Sequence, residues 1–399
     1  MRTAILRGTV NALLVLASTG VALLVLECAI RIFHPQPLAA VARSPRLGWL
    51  HPPNSDLLYE RQEFRVPVHF SSAGLRDREY PFQKPPGTVR VAWLGDSFVE
   101  ALQVPFDSCA AKRVEAALNA AAAPGVHFEV LNFGVSGYGT CQQLLLLEEL
   151  ALRFEPDWVL SQYYANDLDD DVRVGLCALD SAGVLHEVVP PVRAGRARLA
   201  AAVKSVLFRH SELAVFVHSR RRRGGGGPAA ANAPAAVPEA GGTPAGGCPG
   251  QHRTLEFRLS LRDLPPDGAA AVRQHAATWA RMQDVCAAHG AHFLGVLGVS
   301  RPQIEPAEFA AALAANGCNP AAHDGLIAPA RLAAAARARG VDVLELVPAF
   351  QTGVAHEFLH FRIDGHWNSA GHRVAAGAIC EGLRARGILR TEPASKGTP

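Results

Sequence analysis

Charge is scarce in this chain and neither sign dominates: 19% of its 399 residues are charged, and the formal net charge is +3. That balance excludes the dense basic surface by which proteins grip nucleic-acid phosphates. Aromatic residues are also few, 7%, and none is interleaved with basic side chains as a base-stacking platform requires. Nucleic acid is therefore not expected as a partner. The eight cysteines form no CxxC pair and no zinc-type spacing, so no metal site is expected. Cys109, Cys141, Cys177, Cys248, Cys286, Cys318 and Cys380 lie outside the first apolar segment. Their odd number prevents complete pairing within one chain, and the sequence leaves the pairing open. Asp169, Asp170 and Asp171 form an acidic run, read as a solvated face rather than a cation site.

Apolar residues, in contrast, make up 49% of the chain, ample for a large core. The longest run, Thr9 to Ile32, follows Arg2 and Arg7 and has Arg31 at its far end. About twenty such residues at helical rise cross a bilayer. An uncleaved anchor is expected rather than a signal peptide: no small-x-small site follows directly, and Ala40-Val41-Ala42 lies well beyond. With the basic amino terminus inside, the remainder would face the periplasm or the exterior. Pro35 to Pro86 then shows little sustained periodicity. Arg76 within it has two readings, a contact at a pocket mouth or a surface ion pair.

From Val89 onward, short continuous apolar runs alternate with helical patterns. Strands are expected at Val89–Leu94, Phe128–Phe133, Trp158–Tyr163, His292–Leu297 and Val341–Val347. Helices are expected at Asp107–Ala122, Thr140–Arg153, Ala269–His289, Pro329–Arg339 and Val374–Arg386. Runs without polar alternation suit strands covered on both faces, and the βα order implies a parallel sheet with right-handed crossovers. Leu199 to His218 has helical spacing. Arg220 to Arg223 lead into a Gly, Ala and Pro-rich stretch that cannot bury enough apolar surface to fold.

The chemistry gathers at strand ends, where α/β sheets place their functional loops. Val89 to Glu100, VRVAWLGDSFVE, sets the Ser97 hydroxyl just past a buried strand. A serine hydroxyl needs a nearby base, and the base needs a carboxylate to orient it. Ile363 to His372, IDGHWNSAGH, offers Asp364 and His366 in one loop. Glu357 and His360 are a rival pair. Two intermediate loops, FEVLNFGVSGYG from Phe128 and DWVLSQYYAND from Asp157, contribute a glycine N–H and the Asn166 amide. Those are the two donor types that stabilise an acyl oxyanion.

Gly95-Asp96-Ser97, Asn132 to Gly137, Asn166-Asp167 and Asp364-Gly365-His366, in this order, together resemble the SGNH (GDSL-type) hydrolase family over about Val89 to Arg386. The resemblance implies a three-layer α/β/α, flavodoxin-like fold around a five-stranded parallel sheet. It implies Ser97 as nucleophile and first oxyanion donor, Gly137 and Asn166 as the other donors, and His366 as a base oriented by Asp364. Two departures stand out. Tyr164 occupies a position where the family usually has glycine, and only Gly365 separates Asp364 from His366. His372, on the final helix, is read as structural.

The expected organisation is an anchor over 1–34, a juxtamembrane segment over 35–88, the hydrolase domain over 89–388 with an inserted loop over 219–252, and a loose tail over 389–399. The expected activity is cofactor-independent ester hydrolysis, with O-acetyl groups of extracellular or cell-wall polysaccharide as the substrate class. O-acyl transfer to a glycan, and a catalytically idle carbohydrate-binding role, are the alternatives.

Overall fold

The computed structural model describes residues 2–33, 44, 46–188, 203, 207, 211–223 and 255–390. Most of the inserted loop and nearly all of the tail lie outside these residues, as does half of the segment Leu199–His218.

The chain divides into two compact units. In one, helix α1 (Arg2–Phe33) contains an apolar stretch, Leu13–Phe33, of 21 residues, long enough to cross a membrane and with none of it buried in protein. Its one acidic residue, Glu27, is not left bare. It pairs with Arg31, and it accepts hydrogen bonds from Ser211 Oγ and the amides of Glu212 and Leu213, where a second helix (Glu212–Arg223) starts.

The other unit is built on a five-stranded sheet of β3 (Thr88–Gly95), β4 (His127–Gly134), β5 (Trp158–Tyr163), β8 (His292–Leu297) and β9 (Val343–Glu345). Its order is β4-β3-β5-β8-β9, and every neighbouring pair is parallel. All eight residues of β3 and all six of β5 are buried, as continuous apolar runs dictate for central strands. Helices α4 (Thr140–Glu149), Pro266–Ala288 and Ile327–Arg337 pack one face around Leu144, Trp279, Met282 and Leu332. Helices α3 (Ala110–Asn119), Val347–Val354 and Ser369–Ala385 cover the other around Val114, Phe350, Trp367 and Ile379. This is the three-layer arrangement expected from the sequence. The strand order reverses direction between β3 and β5, which is where such sheets open a crevice at their carboxyl ends.

Several boundaries differ from the sequence expectation. β9 spans only Val343–Glu345, because Leu346 already turns into the next helix. The helix expected from Asp107 starts at Ala110 after a short 3₁₀ turn. The final helix begins at Ser369 rather than Val374, since Asn368 caps it by accepting from the amides of Ala370 and Gly371.

The segment before the sheet is also more regular than its composition suggested. It contains an antiparallel hairpin of β1 (Ser55–Arg61) and β2 (Phe64–Phe70). Val66, Val68 and Phe70 alternate inward along β2 and pack with Leu102. Pro67 is tolerated because the pair forms a two-stranded sheet, in which every strand has a free edge. A second small hairpin joins β6 (Cys177–Leu179) to β7 (Leu185–Glu187). A Cys141–Cys177 disulfide ties β6 to the start of α4.

Candidate active site

Ser97 opens α2 (Ser97–Glu100), a single helical turn directly after β3. Asp96 caps that turn, its Oδ1 accepting from the Phe98 amide at 2.9 Å. The turn needs room beside it. A Cβ on Gly134, at the end of β4, would fall 2.1 Å from the Glu100 nitrogen, so only glycine lets the two loops approach this closely.

Three of the expected residues are joined by hydrogen bonds. His366 Nε2 lies 2.8 Å from Ser97 Oγ, and His366 Nδ1 lies 2.6 Å from Asp364 Oδ1. The single intervening residue, Gly365, has φ +84°. That left-handed conformation folds the carboxylate back onto the imidazole. Burial pushes the Asp364 carboxyl up, but the hydrogen bond and charge of His366 outweigh it and hold the group below the usual range. An ionised carboxylate on Nδ1 leaves Nε2 as the nitrogen facing the serine.

The two remaining residues sit on loops flanking β3. Gly137 follows β4 with φ +76°. Asn166 follows β5; its amide donates to Asp170 Oδ2 at 2.7 Å and also bears on Asp96, one residue from the serine. Burial raises the Asp96 carboxyl to about 7, against the lowering influence of the Phe98 amide and His366.

The rival pair is not brought together. His360 is buried with Nε2 3.3 Å from the Val299 carbonyl oxygen, while Glu357 pairs with Arg373 on the surface. Burial holds His360 down at about 4, so it stays neutral. His372 is more deeply buried than a capping residue: its Nδ1 accepts from the Ala110 amide at 3.3 Å, and burial lowers it to about 3. Its role is to join the last helix to α3.

Tyr164, the departure from glycine, fills space beside the site. Its ring stacks on Phe98 at 3.6 Å, and Phe98 in turn stacks on His366 at 4.7 Å. The tyrosine thus backs the ring that supports the His366 imidazole.

Two expectations need correction. Arg76 is neither at a pocket mouth nor on the surface. It is 1% exposed, and its guanidinium donates to the carbonyl oxygens of Glu100, Ala101 and Val104. Those carbonyls lie at and just past the end of α2, where helix ends leave acceptors short of partners. The run Asp169–Asp171 is not solvated either. Asp169 accepts from the Leu255 amide, Asp170 from Asn166 and Arg173, and buried Asp171 from the Cys141 amide. Among the described residues no group of three or more His, Cys, Asp or Glu could hold a metal ion.

Sequence reasoning missed three neighbours of the site. Glu63, in the β1–β2 turn, accepts from the amides of Arg362, Ile363 and Asp364, each at 2.8 Å. Glu100 is fully buried, pairs with His51 and accepts from the Ser136 amide at 3.0 Å and its hydroxyl. Trp49 Nε1 donates to the Ser136 carbonyl at 3.2 Å. The one available signal was Glu100, a carboxylate three residues past Ser97 in an apolar run.

Residues 257–398 match the family described as SGNH hydrolase-like domain, acetyltransferase AlgX. That match takes in Asp364 and His366 but not Ser97, Gly137 or Asn166. No curated protein matches the chain. Among solved structures, TesA is 13% identical, with 74% of this chain and 98% of that chain covered and a TM-score of 0.37. A catalytic mutant of the acetylxylan esterase Axe2 from Geobacillus stearothermophilus is 12% identical, covering 76% and 97%, TM-score 0.38. A lipase/acylhydrolase from Enterococcus faecalis is 11% identical, covering 77% and 99%, TM-score 0.38. These structural likenesses carry no argument about activity. Over residues 257–398, which include β8 and β9 of the sheet, the chain is therefore similar to an SGNH hydrolase-like domain.

Proposed function

We propose that this chain is a membrane-tethered serine enzyme of carboxylic esters, acting by hydrolysis. The observation that carries the reading is the continuous contact from Asp364 through His366 to Ser97. Ser97 Oγ attacks the ester carbonyl carbon as His366 Nε2 takes its proton. In this reading the oxyanion rests on the Ser97 and Gly137 amides and the Asn166 side chain. The alcohol leaves with the proton from His366, and the same nitrogen then activates water to release the acid and restore the serine. No metal or cofactor takes part.

The substrate class follows from the proposed setting. With α1 in the membrane and its basic end inside, the α/β unit faces the periplasm or exterior, where O-acetylated polysaccharide is the ester at hand. Transfer of the acyl group to a glycan hydroxyl is the second reading, favoured by the words acetyltransferase AlgX in the matched family description.

The full chain in detergent should hydrolyse 4-nitrophenyl acetate, and Ser97→Ala should not. Retained activity in Ser97→Ala rejects the reading. With an acetyl donor and an oligosaccharide acceptor, free acetate alone supports hydrolysis, and an acetylated acceptor supports transfer.

A further inference from the structure

The hairpin that precedes the sheet reaches the loop bearing Asp364 and His366. Three consecutive amides, those of Arg362, Ile363 and Asp364, converge on the Glu63 carboxylate at 2.8 Å each. Successive N–H groups aimed at one point form a nest for an anion. Burial raises the Glu63 carboxyl, but those three amides outweigh it and hold the group below its usual range. Phe64, the next residue, packs against Phe361 with ring centroids 5.1 Å apart, so the turn is fixed on the loop by an apolar contact as well. Arg61 of the same hairpin exerts a lowering influence on Asp364.

Nothing else described accepts from these amides. The loop has its left-handed turn at Gly365, and the Asp364–His366 bond depends on the backbone path just before it. An acceptor there stabilises that path, and an ionised carboxylate does so most strongly.

We infer that Glu63 is a positioning residue for the proposed reaction, which sets Asp364 and His366 against Ser97 through the amides of residues 362–364. The inference rests on the serine-enzyme reading above. Glu63 lies outside the α/β sheet and touches neither the serine nor the imidazole. Its effect is on geometry, and small displacements of a reacting group are costly to rate.

The test compares the full chain with Glu63→Ala, Glu63→Gln and Ser97→Ala in detergent, measuring kcat and KM on 4-nitrophenyl acetate together with amide hydrogen exchange over 357–366. Glu63→Ala should lower kcat about 10-fold with KM within twofold, and should speed exchange of the amides of 362–364. Glu63→Gln, which keeps an acceptor oxygen and loses the charge, should fall between it and the parent. An unchanged kcat in Glu63→Ala overturns the inference. So does a fall shared equally by both variants and matched by loss of folded protein on heating, since that is a stability effect alone. Activity surviving in Ser97→Ala would instead reject the serine reading, whatever Glu63 does.

Discussion

The α/β sheet and the segment ahead of it, residues 46–82, bear on the same site by different means. The sheet carries the proposed reacting groups: Ser97, Gly137 and Asn166 lie just past the carboxyl ends of β3, β4 and β5, which are neighbours in one parallel layer. The preceding segment supplies none of them. It holds the loops instead, with Glu63 on the base loop, His51 and Trp49 on Glu100 and Ser136, and Arg76 on the carbonyls that follow the serine turn. Placement is set by secondary structure, and orientation by side chains reaching in from outside it. The second kind of contact accounts for buried charges that a hydrophobic core alone would not accept.

The largest effect should come from the sheet side. Asn166→Ala should reduce kcat about 10²- to 10³-fold, the loss of one oxyanion donor, with little change in KM. An equal fall in kcat and rise in KM in steady-state kinetics would place Asn166 in substrate binding instead.

Glu100 tests the other region. Burial raises its carboxyl, but His51 and Ser136 outweigh that and hold it below the usual value. A group lowered in the folded state contributes stability above its unfolded pKa, near 4.5, and loses it as pH falls through the folded value. Glu100→Gln should therefore lower the thermal midpoint at pH 7 by several degrees, with the gap to the parent narrowing on acidification. A gap independent of pH would show that the His51–Glu100 charge is not what matters.

Asp167 has the opposite sign and should give the smallest effect. It is fully buried, its Oδ2 accepts from Gln143 at 3.0 Å, and its Oδ1 has no partner among the described residues. Burial, then the charges of Asp96, Asp171 and Asp170, raise its carboxyl. A raised acid contributes stability below its unfolded pKa, near 4, and loses it as pH rises through the folded value. Asp167→Asn should therefore melt at or above the parent temperature at pH 8, with no gain at pH 4. A lower midpoint at pH 8 would mean that the parent carboxylate is ionised and partnered.

The same division explains what the sequence made legible. Continuous apolar runs such as Val89–Leu94 and Trp158–Tyr163 announce buried parallel strands, and residues needed for acyl chemistry recur in readable blocks beside them. The hairpin was hidden because Pro67 interrupts a pattern whose alternation, Val66, Val68 and Phe70, is only three residues deep. Arg76 and the run Asp169–Asp171 were misread for a related reason. Charge in a sequence reads as solvent exposure, and only the fold shows carbonyls or amides waiting to receive it. Tyr164 read as a departure from the family pattern, and its ring occupies the space behind Phe98. Partners far apart in the chain, such as Glu63 and Asp364, leave no local periodicity to detect.

The central claim is that His366 activates Ser97. Fluorophosphonate labelling of the full chain, followed by mass mapping of the modified residue, tests it most directly. The account predicts an adduct on Ser97 that forms at least about 10²-fold more slowly in His366→Ala. Labelling of Ser97 at an equal rate in both proteins, or no adduct on Ser97 at all, would contradict it.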